Sequence, residues 1–199
     1  MNKKIMSLLV LIILSFSSQA FSQSIFYIKG ALGPSSQKDN SFGGANVDYN
    51  LSGIGATSLI FGLNIGPQMS TEIEFSGRKA NIDSIDGSAW DGDLDSSSIL
   101  FNGLYKYPFS NGFSFVAGLG FGVLSAEIYD AVADDFADGS SFAAQFIIGG
   151  EASITEQLDF TFEYKKLSTV DLELSGPTIY KENMSYHSGA LMVGLKYNF

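Results

Sequence analysis

Eight separate stretches of this sequence place an apolar or aromatic residue at every second position. That period fixes local geometry, because side chains alternate faces along a β-strand and do not along a helix. The stretches run over about residues 24–33, 54–66, 69–79, 97–108, 112–126, 140–152, 157–167 and 186–199. Their apolar parity is Phe26, Ile28 and Leu32; Leu59, Phe61, Leu63 and Ile65; Thr71, Ile73 and Phe75; Ile99, Phe101, Tyr105 and Tyr107. It continues with Phe115, Ala117, Leu119, Phe121 and Val123; Phe142, Ala144, Phe146 and Ile148; Leu158, Phe160, Phe162 and Tyr164; and finally Leu191 to Phe199 on odd numbers. At 10 to 15 residues these runs are about twice the ordinary strand length of ~5–6. A content of 17 Phe and 9 Tyr against only 4 Pro suits strands. No later segment sustains a 3.6-residue repeat.

The connections alternate as strictly as the residues do. Gly66-Pro67-Gln68, Phe109-Ser110-Asn111 and Ser153-Ile154-Thr155-Glu156 are short turns. The others, roughly 34–53, 80–96, 127–139 and 168–185, are long and rich in Asp, Ser and Gly. Alternating short and long connections put every long one at the same end of a sheet. A membrane barrel has that asymmetry, with short periplasmic turns and longer outside loops. A tilted strand crosses a bilayer in about 9–11 residues, which these runs match. The expected fold is all-β: an eight-stranded, antiparallel, up-and-down transmembrane barrel. An even strand number puts both termini on the periplasmic side of a Gram-negative-type outer membrane, with the four long loops extracellular. A soluble lipocalin-like barrel would need the inverse pattern, apolar inside and polar outside.

The start of the chain supports export. Met1-Asn2-Lys3-Lys4 precedes the apolar run Ile5 to Phe16, then small residues at Ala20 and Ser22. This is the layout of a secretory signal peptide. The expected division is residues 1–22 as signal and 23–199 as barrel. Losing Lys3 and Lys4 takes the formal charge from −10 to −12. Such an acidic chain does not suit nucleic acid. The absence of cysteine excludes disulfides and a cysteine-linked lipid.

The parity opposite the apolar one carries glycine, small polar residues and about one charge per strand. Lipid would not accept Lys29 or Glu74 at mid-depth, so this face is expected to line a narrow lumen packed with side chains. Ten charged residues are assigned to it. Glu72, Lys106, Glu151, Asp159 and Lys196 fall near the periplasmic end; Lys29, Glu74 and Glu163 near the middle; Arg78 and Lys165 towards the outside. They divide five and five by sign, so mutual pairing is expected, because an unpaired buried charge is costly. The excess negative charge is then expected in the loops.

These segments resemble a known family. "GLKYNF" at the end looks like a closing strand of small outer-membrane β-barrels, "FSFVAGLGFGV" like their glycine-alternating fifth strand, and "LDFTFEYKKL" like their seventh. The chain is similar over its mature length to the eight-stranded OmpA/OmpX and opacity-type group. The resemblance implies a C-terminal signal for the barrel-assembly machinery, matched here by Leu191, Val193, Leu195, Tyr197 and Phe199. Unlike OmpA itself, the chain is expected to carry no peptidoglycan-binding domain after Phe199.

Chemistry is sparse. Asp91, Asp93 and Asp95 occupy positions 1, 3 and 5 of a calcium-loop pattern, but position 6 is Ser96 and position 12 is Asn102. They are weak metal candidates and read better as a solvated acidic loop. His187 and Ser188 are adjacent, so on a strand they point to opposite faces and cannot act as a pair. Glu72 and Glu74 share one face but have no cleft between them. No cofactor is implied. The expected function is a non-enzymatic surface protein whose barrel anchors acidic loops for adhesion or envelope integrity. The expected partners are outer-membrane lipid and lipopolysaccharide, with a host or extracellular ligand at the loops. A small low-conductance, porin-like channel is the alternative.

Overall fold

The computed structural model describes residues 25–37, 49–85, 88–109, 112–130, 135–169, 172–175, 182–184 and 186–199. The expected signal peptide, residues 1–22, lies outside them. Eight strands close a barrel: β1 (Phe26–Gln37), β2 (Tyr49–Asn64), β3 (Met69–Ile85), β4 (Ser88–Pro108), β5 (Phe113–Asp130), β6 (Asp135–Ser153), β7 (Leu158–Thr169) and β10 (His187–Asn198). All neighbours are antiparallel, and β10 closes the ring between β7 and β1. Two short strands, β8 (Leu172–Leu174) and β9 (Glu182–Met184), form a separate hairpin within the last long connection.

Register sets the dimensions. From Ser125 on β5 the partners run through Ser97, Gly77, Thr57, Leu32, Val193, Phe162 and Gly150, and return to β5 at Phe115. One circuit shifts the chain from 125 to 115, a shear of ten residues. With eight strands ~4.8 Å apart and a rise of ~3.3 Å per residue, the strands tilt by about 40°.

The apolar parity faces outward. Leu32 and Leu119 are 63% and 70% exposed, with Phe75, Ile99, Phe121, Phe142 and Leu195 also exposed around the ring. So continuous an apolar surface belongs in hydrocarbon, not water. Aromatic rings concentrate at the short-turn end, where Phe109 stacks on Phe113 and meets Tyr107 edge-on, and Tyr197 meets Phe199 edge-on at 5.2 Å. The first short turn is closed by Ile65 N–H donating to Met69 O (2.8 Å), with Gly66 at φ 138°. Gly112 at φ 76° adjoins the second turn. Both angles favour glycine.

Two of the expected long loops are strand instead. β3 runs to Ile85 and β4 begins at Ser88, so nearly all of 80–96 is hairpin; β5 and β6 likewise absorb most of 127–139. The cause is that period two continues inward through Ala80, Leu94, Ala126, Ile128 and Ala137, all buried. Asp93, Asp95, Ser97, Ser125, Asp138 and Ser140 lie on the outward face.

Candidate functional site

The chemistry of the described residues is concentrated in the lumen, where nine of the ten assigned charged residues are buried and Lys106 is half-buried. Nearest the short turns, Lys196 Nζ donates to Glu151 Oε1 (3.1 Å) and Oε2 (3.2 Å), and Lys106 pairs with the same carboxylate. Asp159 accepts from Asn198 Nδ2 at 2.9 Å. Above them a ladder of alternating sign crosses the barrel. Lys29 Nζ lies 2.8 Å from Glu72 Oε1 and 2.7 Å from Glu163 Oε1. Lys165 Nζ lies 3.5 Å from Glu163 Oε2 and 2.7 Å from Glu74 Oε1. Asn102 Nδ2 and Gln145 Nε2 each donate to Glu74 Oε2 at 2.9 Å.

Tyr27 joins the two layers. Its hydroxyl donates to Glu72 Oε1 at 2.8 Å, and its ring receives Lys196 Nζ 4.2 Å from the centroid. The ring fits because Gly62 lies opposite: a Cβ there would fall inside it. One assignment needs correction. Glu72 belongs with Lys29 in the middle ladder, not with Lys106 at the short-turn end. The strand tilt carries β1 down beside β3, bringing Lys29 to the level of Glu72.

The lumen is also less uniformly polar than its charges suggest. Ile60, Leu100, Leu104, Val116, Ile147 and Met192 point inward and are buried. Towards the long connections an apolar plug takes over, built of Leu94, Leu124, Ala126, Ile128, Ala137, Ala143 and Leu167, with Leu172 from β8 and Tyr186 fitted among them. Tyr186 closes the top: its hydroxyl accepts from Gln37 Nε2 (3.0 Å) and bonds Ser96 Oγ (2.8 Å). The β8 end is fixed to the barrel by paired backbone bonds between Asp138 and Ser175 (3.0 and 3.2 Å). Leu172 does not stand out in sequence, because it sits in a stretch without sustained alternation; Tyr186 opens the alternating stretch 186–199 on its lumen parity, where a lone tyrosine does not signal a plug.

The outer wall above the apolar band changes character in step across five strands. Leu59, Thr57 and Gly55 on β2 align with Phe75, Gly77 and Lys79 on β3, and with Ile99, Ser97 and Asp95 on β4. Val123, Ser125 and Glu127 on β5 and Phe142, Ser140 and Asp138 on β6 continue the series. Apolar residues therefore give way to small ones and then to charged ones. A shallow concavity of about 720 Å³ lies over the upper two rows.

Asp93 and Asp95 belong to β4 rather than to an acidic loop. They approach Lys79 Nζ at 3.3 and 3.7 Å, and its pKa is raised, first by the hydrogen bond it donates to Asp93. Strand positions spaced by two spread carboxylates along a face instead of wrapping them round an ion. The Asp91 side chain lies outside the described residues. Among the described residues no three acidic or histidine side chains come together as a metal site. His187 is half-buried and Ser188 buried on opposite faces of β10. Glu72 and Glu74 are both held in the ladder. The C-terminal set Leu191, Val193, Leu195, Tyr197 and Phe199 is exposed on the outward wall.

The sequence matches the family model of the outer membrane protein beta-barrel domain over residues 6–199. Among solved structures it is similar to Neisserial surface protein A, at 15% identity and TM-score 0.59, covering 87% of this chain and 97% of that one. It is similar to Ail, the attachment invasion locus protein of Yersinia pestis, at 16% identity and TM-score 0.54, covering 89% and 99%. It is also similar to the outer membrane protein OprG of Pseudomonas aeruginosa, at 14% identity and TM-score 0.53, covering 89% and 98%. No curated protein matches it.

Proposed function

The chain belongs to the outer membrane protein beta-barrel domain family, and from that premise we propose that it is a non-enzymatic surface protein. Its barrel is the anchor, and its extended hairpins carry adhesion or envelope contacts. The observation behind this is the filled lumen. Charged groups interlock across its lower and middle levels, and the apolar plug with Tyr186 and Leu172 occupies its upper level. A pore needs a continuous path of water, and packed apolar side chains do not offer one. What remains for contact is the part beyond the lipid: the outward polar rows of β2 to β6 and the connections above them.

In this reading the short turns and both termini are periplasmic, the long connections extracellular, and residues 1–22 a signal that is removed. Two of the structurally similar proteins are named for surface location and for attachment, which supports a contact role here. Outer-membrane lipid and lipopolysaccharide surround the wall, and an extracellular or host ligand meets the hairpins. Planar-bilayer recording of the purified barrel is the test. Silence or rare brief openings are expected. Steady openings would replace the anchor reading with the low-conductance channel.

A further inference from the structure

Nine of the ten lumen charges are accounted for by ionic partners or, for Asp159, by the Asn198 amide at the short-turn rim. Arg78 is the remaining one. It points into the upper lumen from β3 and is 5% exposed. Among the described residues it has no carboxylate within 4 Å, and its one hydrogen bond is Nη1 to the carbonyl of Ser188 at 3.3 Å. Glu74, four residues earlier on the same strand, already serves Lys165, Asn102 and Gln145 through both its oxygens.

The side chain crosses β2 and β1 to reach β10, over a floor of Ala31, Ala56, Ala190 and Met192. The rungs it spans carry hydroxyls that lack partners. Ser35, paired with Ala190, is 8% exposed, and Ser188, paired with Gln37, is 2% exposed; among the described residues neither Oγ has a hydrogen-bond partner. Tyr186, held between Gln37 and Ser96, roofs the same level. A guanidinium has five N–H donors in a planar fork, and each serine adds a rotatable O–H donor. At the same level Gln37 Oε1 is a buried acceptor without a partner among the described residues; one neutral acceptor leaves the cationic charge uncompensated, and a buried cation beside these donors is complementary to an anion.

We propose that the upper lumen holds a small monovalent anion, of chloride size, beside Arg78 and the hydroxyls of Ser35 and Ser188. The single positive charge and the alanine floor favour one small anion over a phosphate or carboxylate ligand. The site is independent of what the hairpins contact.

Bromide is the probe, applied to the full mature protein refolded in detergent. Thermal unfolding is followed in sodium bromide against sodium gluconate at equal ionic strength, because gluconate is too large to enter. The wild type is expected to gain about 4 °C, saturably, at tenfold excess over Kd. Arg78→Met, checked for folding by heat-modifiable migration, is expected to lose the response, and Arg78→Lys to keep part of it. Crystals of the wild type grown in bromide should show an anomalous peak within hydrogen-bond distance of Arg78. That measurement decides the matter alone if Arg78→Met does not fold. An equal bromide response in Arg78→Met, or water without an anomalous peak at Arg78, would overturn the proposal.

Discussion

Lys29 shows how single residues hold this barrel. It is fully buried and has two carboxylates within 3 Å, Glu72 and Glu163, on different strands. Its replacement by methionine keeps the stem and strands both acids in a low-dielectric interior. Breaking a buried pair from one side costs about 3–5 kcal/mol. Lys29→Met should therefore lower the unfolding free energy, measured by denaturant titration in lipid vesicles, by about that amount. Adding Glu163→Gln to Lys29→Met should recover part of the loss by removing one stranded charge. A fully additive double mutant would show that the two residues do not interact. Lys29 was legible as a lumen residue, because parity alone assigns its face. Its partners depended on strand tilt, which the sequence does not state, and so Glu72 was placed one level too low.

At the scale of elements, β10 combines two roles. It closes the ring against β1 through a register from Tyr27–Asn198 to Gln37–Ser188, and it turns Leu191, Val193, Leu195, Tyr197 and Phe199 outward. Phe199 itself adds one backbone bond, its N–H to Phe26 O at 3.1 Å, and the edge contact with Tyr197. Deleting it should cost the refolded barrel only about 1–2 kcal/mol. The yield of heat-modifiable protein in cell membranes should fall much further if the assembly machinery reads this residue. Normal cellular yield would remove that role. Strand β10 was legible because its alternation is unbroken. The upper halves of β3 to β6 were not, since Asp, Ser and Gly dominate their outward faces and mimic loop composition. The inward alternation of Ala80, Leu94, Ala126 and Ala137 was the available signal. It is faint because alanine and leucine are small in number there and spaced among polar residues.

The whole molecule is a closed ring whose two ends differ. Short turns and aromatic stacks finish one end; hairpins and an apolar plug finish the other. On intact cells, protease should cut only within the long connections. Residues 66–68 and 153–156 should be cut only after the outer membrane is opened. Mass mapping of the fragments checks this, and cleavage at Gly66-Pro67 on intact cells would reverse the orientation. Fold class, strand number and strand order followed from periodicity and connection length, both long-range regularities that survive local ambiguity. The plug did not, because Leu172 and Tyr186 enter it through tertiary contact and not through a pattern.

The extension of β3 and β4 has a mechanical consequence. From Phe75, the last outward aromatic residue of β3, the strand continues ten residues to Ile85. At ~3.3 Å per residue and a tilt of ~40°, it rises about 25 Å above the apolar band. A ribbon held by ladder bonds over that height behaves as a stalk rather than a tether. It presents its tip at a set distance from the lipid. A partner meeting it would find a surface already ordered, so little freedom is lost on contact. Shortening the ribbon by whole residue pairs preserves facing and lowers the tip by roughly 5 Å per pair, making reach a quantity that can be varied independently of the tip's chemistry.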